Sequence, residues 1–107
     1  MNWNEKTVLV TGGHGFLGSY VIKELERRNV KKINVPTSTE LDLRNLENCK
    51  KAVQNIDIVI HLAGAGGGIG VMREKPGEIF FNNIMMGTQL MHQAKEANVE
   101  KFIGLGT

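Results

Sequence analysis

The stretch VTGGHGFLG, residues 10–18, decides the fold of this chain. A short apolar run from Lys6 to Thr11 leads into it and predicts a buried strand. After the glycines, Leu17, Val21 and Leu25 recur every four residues, which predicts a helix from about Gly15 to Arg28. The glycines therefore lie between a strand and a helix, where a bare backbone permits a tight turn or the close approach of another group.

The spacing of these glycines predicts a bound dinucleotide. Gly13, Gly15 and Gly18 satisfy G-x-G-x-x-G, and Gly12, Gly15 and Gly18 satisfy G-x-x-G-x-x-G. In both frames the backbone at Gly15 is open to an incoming group, and Gly18 lets the helix pack closely on the strand. The N-terminus of the helix offers free N–H groups and a partial positive charge to a pyrophosphate. A tight turn without a ligand is the alternative.

The rest of the chain alternates between helix and strand patterns. Further strands are predicted at 32–35, 56–62 and 101–106, and further helices at 43–54 and 78–97. The strands are apolar through their centres, which is typical of a parallel sheet covered by helices on both faces. Right-handed crossovers then predict an α/β fold, a Rossmann-type doubly wound parallel sheet in the order β-α-β-α-β-α-β, with strand order 3-2-1-4.

Composition and charge exclude several classes of function. The net charge of +2 is small and the basic residues are scattered, so no nucleic-acid partner is expected. No apolar run approaches the roughly 20 residues of a membrane span, and no signal peptide opens the chain, so we expect a cytoplasmic protein without a membrane partner. Cys49 is the only cysteine, and His14, His61 and His92 lack metal-ligand spacing, so neither a disulfide nor a metal is expected.

The end of the second predicted strand bears on the choice between NAD and NADP. In dinucleotide folds an acid at this end usually holds the ribose 2′-hydroxyl and selects NAD. Here the strand runs into Asn34-Val35-Pro36-Thr37-Ser38, and Glu40 and Asp42 come several residues later. A 2′-phosphate would meet no repulsion, and Thr37 and Ser38 are able to donate hydrogen bonds to it. The sequence therefore favours NADP. NAD stays open as the alternative, because no arginine stands at the strand end.

Several segments resemble the extended short-chain dehydrogenases, that is, the NAD-dependent epimerase/dehydratase family. The run from Thr11 to Gly18 resembles their T-G-x-x-G-x-x-G signature. Leu41-Asp42-Leu43 resembles the segment that lines the adenine pocket, and His61-Leu62-Ala63-Gly64 resembles the H-L-A-A that passes along the cofactor. The stretch from Asn83 to Thr88 is similar to N-x-x-G-T, with one extra residue.

A glycine-rich loop narrows the resemblance to the GDP-L-fucose synthase group. Gly67-Gly68-Ile69-Gly70, followed by Arg73, Pro76 and the stretch from Phe80 to Asn83, is similar to that group. The resemblance implies an epimerase-reductase that acts on GDP-4-keto-6-deoxymannose, a nucleotide-sugar substrate, and a homodimer in the full-length enzyme. A UDP-sugar 4-epimerase or a dehydratase is an alternative of the same class. A non-catalytic dinucleotide-binding module that senses redox state is the alternative of another class.

Spacing and resemblance together predict three sets of site residues. The cofactor-binding set is Gly12, Gly15, Phe16, Leu17, Gly18, Thr37, Ser38, Asp42, Leu43, Leu62, Ala63, Gly64 and Ala65. The substrate-binding set is Gly67, Gly68 and Asn83. Thr107 stands where the family has its catalytic serine or threonine.

The resemblance also implies that residues 1–107 are only part of an enzyme. The family uses a Tyr-x-x-x-Lys pair, but Tyr20 is the only tyrosine here and the residue four positions later is Glu24. We therefore expect residues 1–107 to be the N-terminal, NAD(P)-binding portion of a Rossmann domain. We also expect this portion by itself to catalyse neither reduction nor epimerisation.

Overall fold

The structure, a computed structural model, describes residues 1–37, 39–62 and 76–104. Strands and helices alternate along these ranges, after a short 3-10 turn at Trp3–Glu5. In chain order the elements are β1 (Thr7–Thr11), α1 (Phe16–Arg27), β2 (Lys32–Asn34), α2 (Leu46–Ala52), β3 (Ile58–His61), α3 (Pro76–Glu96) and β4 (Lys101–Gly104). The predicted alternation is confirmed.

The helix α2 is shorter than the predicted range of 43–54. It begins after Asn45, because the Asn45 Oδ1 atom accepts a hydrogen bond of 2.9 Å from the backbone N–H of Glu47. A side-chain cap of this kind fixes a helix start, so Leu43 belongs to the preceding turn.

All neighbouring strands are parallel, and their order is β2-β1-β3-β4. The predicted order 3-2-1-4 is therefore wrong, because the third strand pairs with β1 and not with β2. The pairing runs from Val8 beside Ile58 to Thr11 beside His61. Both of these strands are almost wholly buried, so together they form the centre of the sheet, whereas the three-residue β2 is partly exposed and takes an edge.

The sheet separates two hydrophobic clusters. On one face, Val8, Val10, Ile58 and Ile60 pack with Leu25 of α1. On the other face, α2 and α3 cover the sheet with a larger cluster that comprises Leu9, Leu43, Cys49, Ala52, Val53, Ile56, Val59, Met86, Leu90 and Ala94. Helices on both faces of a parallel sheet are the arrangement that the apolar strands predict.

The helices of the described ranges end in the same way. Asn29, Asn55 and Asn98 follow α1, α2 and α3 with φ of 57°, 57° and 59°, in the left-handed region that asparagine tolerates better than most residues. After Asn98, the Val99 N–H donates to the Ala94 carbonyl over 2.9 Å and its side chain packs against the core. These turns close the helices and return the chain to the start of the next strand.

Candidate functional site

A crevice is expected where the chain reverses its direction across the sheet. From β1 the chain passes through α1 to β2 on one side, whereas β3 and β4 lie on the other side. The helices after β1 and β3 also lie on opposite faces. In open α/β sheets, ligands bind at such a switch point, beyond the carboxyl ends of the strands. The ends of β1 and β3 therefore locate the candidate site.

Gly13 in the turn after β1 and Gly18 in the first turn of α1 are closely packed. A Cβ atom added at Gly18 would lie 2.5 Å from the Gly13 Cα atom and closer still to the Gly12 carbonyl oxygen. A Cβ atom added at Gly13 would lie 2.9 Å from the Ile22 Cδ1 atom and would also overlap Val35. Gly12 itself has a φ of 74°, which side chains rarely adopt.

Gly15 differs from these glycines because no other described residue fills the space beside it. Among the described residues, a Cβ atom added at Gly15 would meet only the Gly12 carbonyl oxygen within 4 Å, at a distance of 3.4 Å. Gly15 is exposed and is the N-cap of α1, with no side-chain cap. The first N–H groups of α1 therefore lack both an intrahelical partner and the kind of cap that Asn45 provides for α2. Such a helix end attracts an anion.

Thr11 and His61 join the ends of the two central strands. The Thr11 Oγ1 atom lies 2.7 Å from the His61 Nδ1 atom, and it accepts a hydrogen bond of 3.1 Å from the Leu62 N–H. His61 is buried, and burial lowers the pKa of its imidazole. In the neutral ring, an unprotonated Nδ1 accepts from the Thr11 hydroxyl. This contact fixes the spacing of the two chain segments that leave the sheet at the crevice.

The end of β2 carries an acid that sequence reasoning placed too far away. The Thr37 hydroxyl donates to the Glu40 Oε1 atom over 2.8 Å, and the Glu40 N–H donates back to Thr37 Oγ1 over 3.2 Å. A turn in which the Leu41 N–H bonds to the Thr37 carbonyl brings the carboxylate back to the strand end. The signal in the sequence was T-x-x-E, the spacing of a capping box, here on a turn that no helix follows.

Four other predicted cofactor-binding residues lie in different environments. Leu43 is buried in the core, so only its backbone remains available to a cofactor. Asp42 is held by Arg44, whose Nη2 atom lies 2.7 Å from Asp42 Oδ2, and this guanidinium lowers the pKa of the Asp42 carboxyl. Phe16 and Leu17 are exposed on the first turn of α1, as cofactor contacts would need to be.

The remaining predicted residues are only partly placed. Asn83 is half-buried on α3, and Leu62 is half-buried directly after β3. Ser38, Ala63, Gly64, Ala65, Gly67, Gly68 and Thr107 lie outside the described residues.

The described ranges contain neither a metal site nor a membrane-spanning helix. Within residues 1–37, 39–62 and 76–104, no three His, Cys, Asp or Glu side chains lie close enough together to hold a metal ion. Nor does any helix in the described part of the chain have the length and apolar character needed to cross a membrane.

Comparison with known proteins identifies a family for this arrangement. The family model described as the NAD dependent epimerase/dehydratase family matches residues 8–107. The chain is 33% identical to GDP-L-fucose synthase of Azorhizobium caulinodans, over 95% of the chain and 33% of that protein. It is 29% identical to Uncharacterized membrane protein MJ1061 of Methanocaldococcus jannaschii, over 98% of the chain and 37% of that protein. The chain thus spans about a third of the length of these relatives.

Solved structures share the fold. DdhaC superimposes with a TM-score of 0.90 at 24% identity, over 97% of this chain and 30% of that one. The GDP-L-fucose synthetase of Naegleria fowleri bound to NADP superimposes with a TM-score of 0.73 at 26% identity, over 94% of this chain and 30% of that one.

Proposed function

The chain belongs to the NAD dependent epimerase/dehydratase family, and from this premise we propose that it forms the cofactor-binding portion of a nucleotide-sugar epimerase-reductase. One observation carries the proposal. The uncapped start of α1, with open space beside Gly15, lies at the sheet's switch point, where the pyrophosphate of a dinucleotide is expected.

The residues at the switch point suit the two ends of a dinucleotide. The first N–H groups of α1 would bind the pyrophosphate, while Thr37 and Glu40 at the end of β2 would meet the adenosine ribose. Thr11 and His61 would hold the two strand ends at the spacing that the cofactor needs. The nicotinamide, once bound, supplies or accepts the hydride. The NADP bound to the Naegleria relative supports NADP as a cofactor that this site accepts.

We propose GDP-4-keto-6-deoxymannose as the substrate of the full-length protein, in a 3,5-epimerisation followed by a 4-reduction. The support is the similarity to GDP-L-fucose synthase of Azorhizobium and to the Naegleria synthetase. In this proposal Gly67, Gly68 and Asn83 contact the sugar. Thr107 donates a hydrogen bond to a sugar oxygen, and a Tyr-x-x-x-Lys pair beyond residue 107 supplies the proton.

We further propose that the full-length protein is a homodimer that uses α3. Among the side chains of α3 that the structure describes, Phe81, Ile84 and Met91 are large, apolar and exposed, whereas Met86 and Leu90 are buried. Apolar groups exposed along one helix suit a second protein surface.

Two measurements test the proposed function. Calorimetric titration of the purified protein with NADH and NADPH tests the cofactor site, and failure of both to bind would refute it. The full-length protein, incubated with GDP-4-keto-6-deoxymannose and the coenzyme that binds, should oxidise the coenzyme. If the coenzyme binds but only a UDP-sugar is converted, the protein is a UDP-sugar epimerase or dehydratase. Binding without turnover of either sugar would indicate a sensing module.

A further inference from the structure

We propose that Asn48 is a positioning residue for the adenosine half of the dinucleotide, and that Gln89 assists it. The inference rests on the proposed dinucleotide site and adds to it two residues that no sequence motif singles out. Both act through the backbone of residues 42–44, which joins the turn after β2 to the start of α2.

Side chains of α2 hold two consecutive carbonyl groups of residues 42–44. The Asn48 Nδ2 atom donates a hydrogen bond of 2.9 Å to the Asp42 carbonyl. The buried Cys49 Sγ atom donates one of 3.1 Å to the Leu43 carbonyl. The first turns of α2 therefore face back onto the segment that precedes them.

The helix α3 holds the next carbonyl group of the same segment. The Gln89 Nε2 atom donates to the Arg44 carbonyl over 3.2 Å, between residues that lie 45 positions apart in the sequence. Residues 42–44 are thus fixed from both helices, although they belong to no helix or strand themselves.

The bond from Asn48 is not needed to satisfy the Asp42 carbonyl. That carbonyl already accepts from the Asn45 N–H over 3.1 Å, in the turn that leads into α2. A carbonyl oxygen has two lone pairs, and a second donor restricts the direction in which the group points. Such a restraint suits a segment that has to present its backbone to a ligand.

The segment follows directly on the residues proposed to meet the ribose. At the end of β2 the Thr37 hydroxyl donates to Glu40 over 2.8 Å, and the Leu41 N–H donates to the Thr37 carbonyl over 2.9 Å. The chain leaves this turn into residues 42–44, which continue the wall of the site from the ribose towards the base. A wall that is already fixed loses less conformational freedom when it binds.

The test measures two ligands in four versions of the protein. ADP-ribose carries the adenosine, whereas inorganic pyrophosphate reaches only the start of α1. NMR titration, which detects weak binding, gives dissociation constants for the unmutated protein, Asn48→Ala, Gln89→Ala and the control Gln93→Ala. Gln93 lies one turn after Gln89 on α3, and its side chain forms no hydrogen bond with a described residue. Alanine is the better helix former, so the variants should stay folded, which thermal unfolding checks.

We expect Asn48→Ala to raise the dissociation constant of ADP-ribose about fivefold, which corresponds to the net contribution of one hydrogen bond. Gln89→Ala should raise it about twofold, because its contact is longer and exposed. Both variants should bind pyrophosphate as the unmutated protein does, since the start of α1 is unchanged. Gln93→Ala should alter neither affinity.

Three results would overturn the inference. A folded Asn48→Ala variant with unchanged affinity for ADP-ribose would show that Asn48 does not position the adenosine. An equal loss for ADP-ribose and pyrophosphate would show that Asn48 acts on the whole fold. In both cases the dinucleotide site still stands. If either ligand fails to bind to the unmutated protein, the proposed site is wrong and the inference fails with it.

Discussion

Gly15 and Gly18 lie three positions apart in one motif, yet the structure gives them opposite surroundings. At Gly18 the backbone of the preceding turn occupies the space that a side chain would need. At Gly15 no described residue other than Gly12 comes close to that space, and the φ of −83° suits any residue. A glycine that the fold does not require is explained by a group that approaches from outside. The comparison therefore separates the part of the motif that builds the fold from the part that serves a ligand.

The largest effect on stability is expected at Gly18, the closely packed glycine of the pair. Gly18→Ala should lower the free energy of unfolding by about 3 kcal/mol or more, because the added methyl group overlaps backbone atoms that cannot rotate away. Chemical denaturation measures the loss.

Gly87→Ala is the matched control for Gly18→Ala. A Cβ atom added there would lie 3.7 Å from the His61 Nε2 atom, an ordinary contact, so the higher helix propensity of alanine should leave stability unchanged or raise it by about 0.5–1 kcal/mol. Equal losses in the two variants would contradict the close packing assigned to Gly18.

The next prediction tests the contact between Thr11 and His61 at the ends of β1 and β3. Thr11→Val keeps the shape of the side chain but removes the hydroxyl that bonds to His61 and accepts from the Leu62 N–H. We expect a loss of about 1–3 kcal/mol in the free energy of unfolding, because the buried His61 Nδ1 atom loses the Thr11 hydroxyl, whereas the Leu62 N–H keeps its bond of 2.9 Å to the Thr11 carbonyl. Thr11→Ser, which keeps the hydroxyl, should lose less. A valine variant as stable as the original protein would show that the contact between Thr11 and His61 does not stabilise the fold.

A smaller effect on stability is expected from the left-handed backbone conformation of Asn98. Asn98 has a φ of 59° at the end of α3, in an exposed position. Asn98→Ala should cost about 1 kcal/mol of unfolding free energy, whereas Asn98→Gly should be nearly neutral, since glycine adopts this region without strain. If alanine is tolerated as well as glycine, the left-handed turn is not what holds this helix end.

The sequence was sufficient to predict the elements but not how they are arranged. Apolar periodicity predicted β1, α1, β3 and their order, because burial imposes that periodicity directly. The strand order was not predictable from the same patterns, since the choice of β3 as the partner of β1 depends on which strands are long and apolar enough to form the centre. The apolar pattern of a single segment does not show which of the other strands will pair with β1.

The candidate site likewise has features that the sequence predicts and features that it does not. The glycine turn was predictable because its spacing is tied to backbone geometry. Glu40 was missed at the end of β2, because proximity in the sequence was taken as proximity in space and the T-x-x-E turn was not recognised. Predicted residues such as Ala63, Gly67 and Thr107 lie outside the described ranges and remain predictions.

A substitution at Gly15 provides the most direct test of the proposed dinucleotide site. Gly15→Val places a branched side chain where the pyrophosphate would approach. Its Cβ atom would contact only the Gly12 carbonyl oxygen among the described residues. Its unfolding free energy should fall by no more than about 1 kcal/mol, because valine is a poorer N-cap than glycine. Calorimetric titration with NADH and NADPH should detect binding to the original protein and none to this variant. Unchanged affinity in a folded Gly15→Val variant would contradict the central claim that this turn binds a dinucleotide.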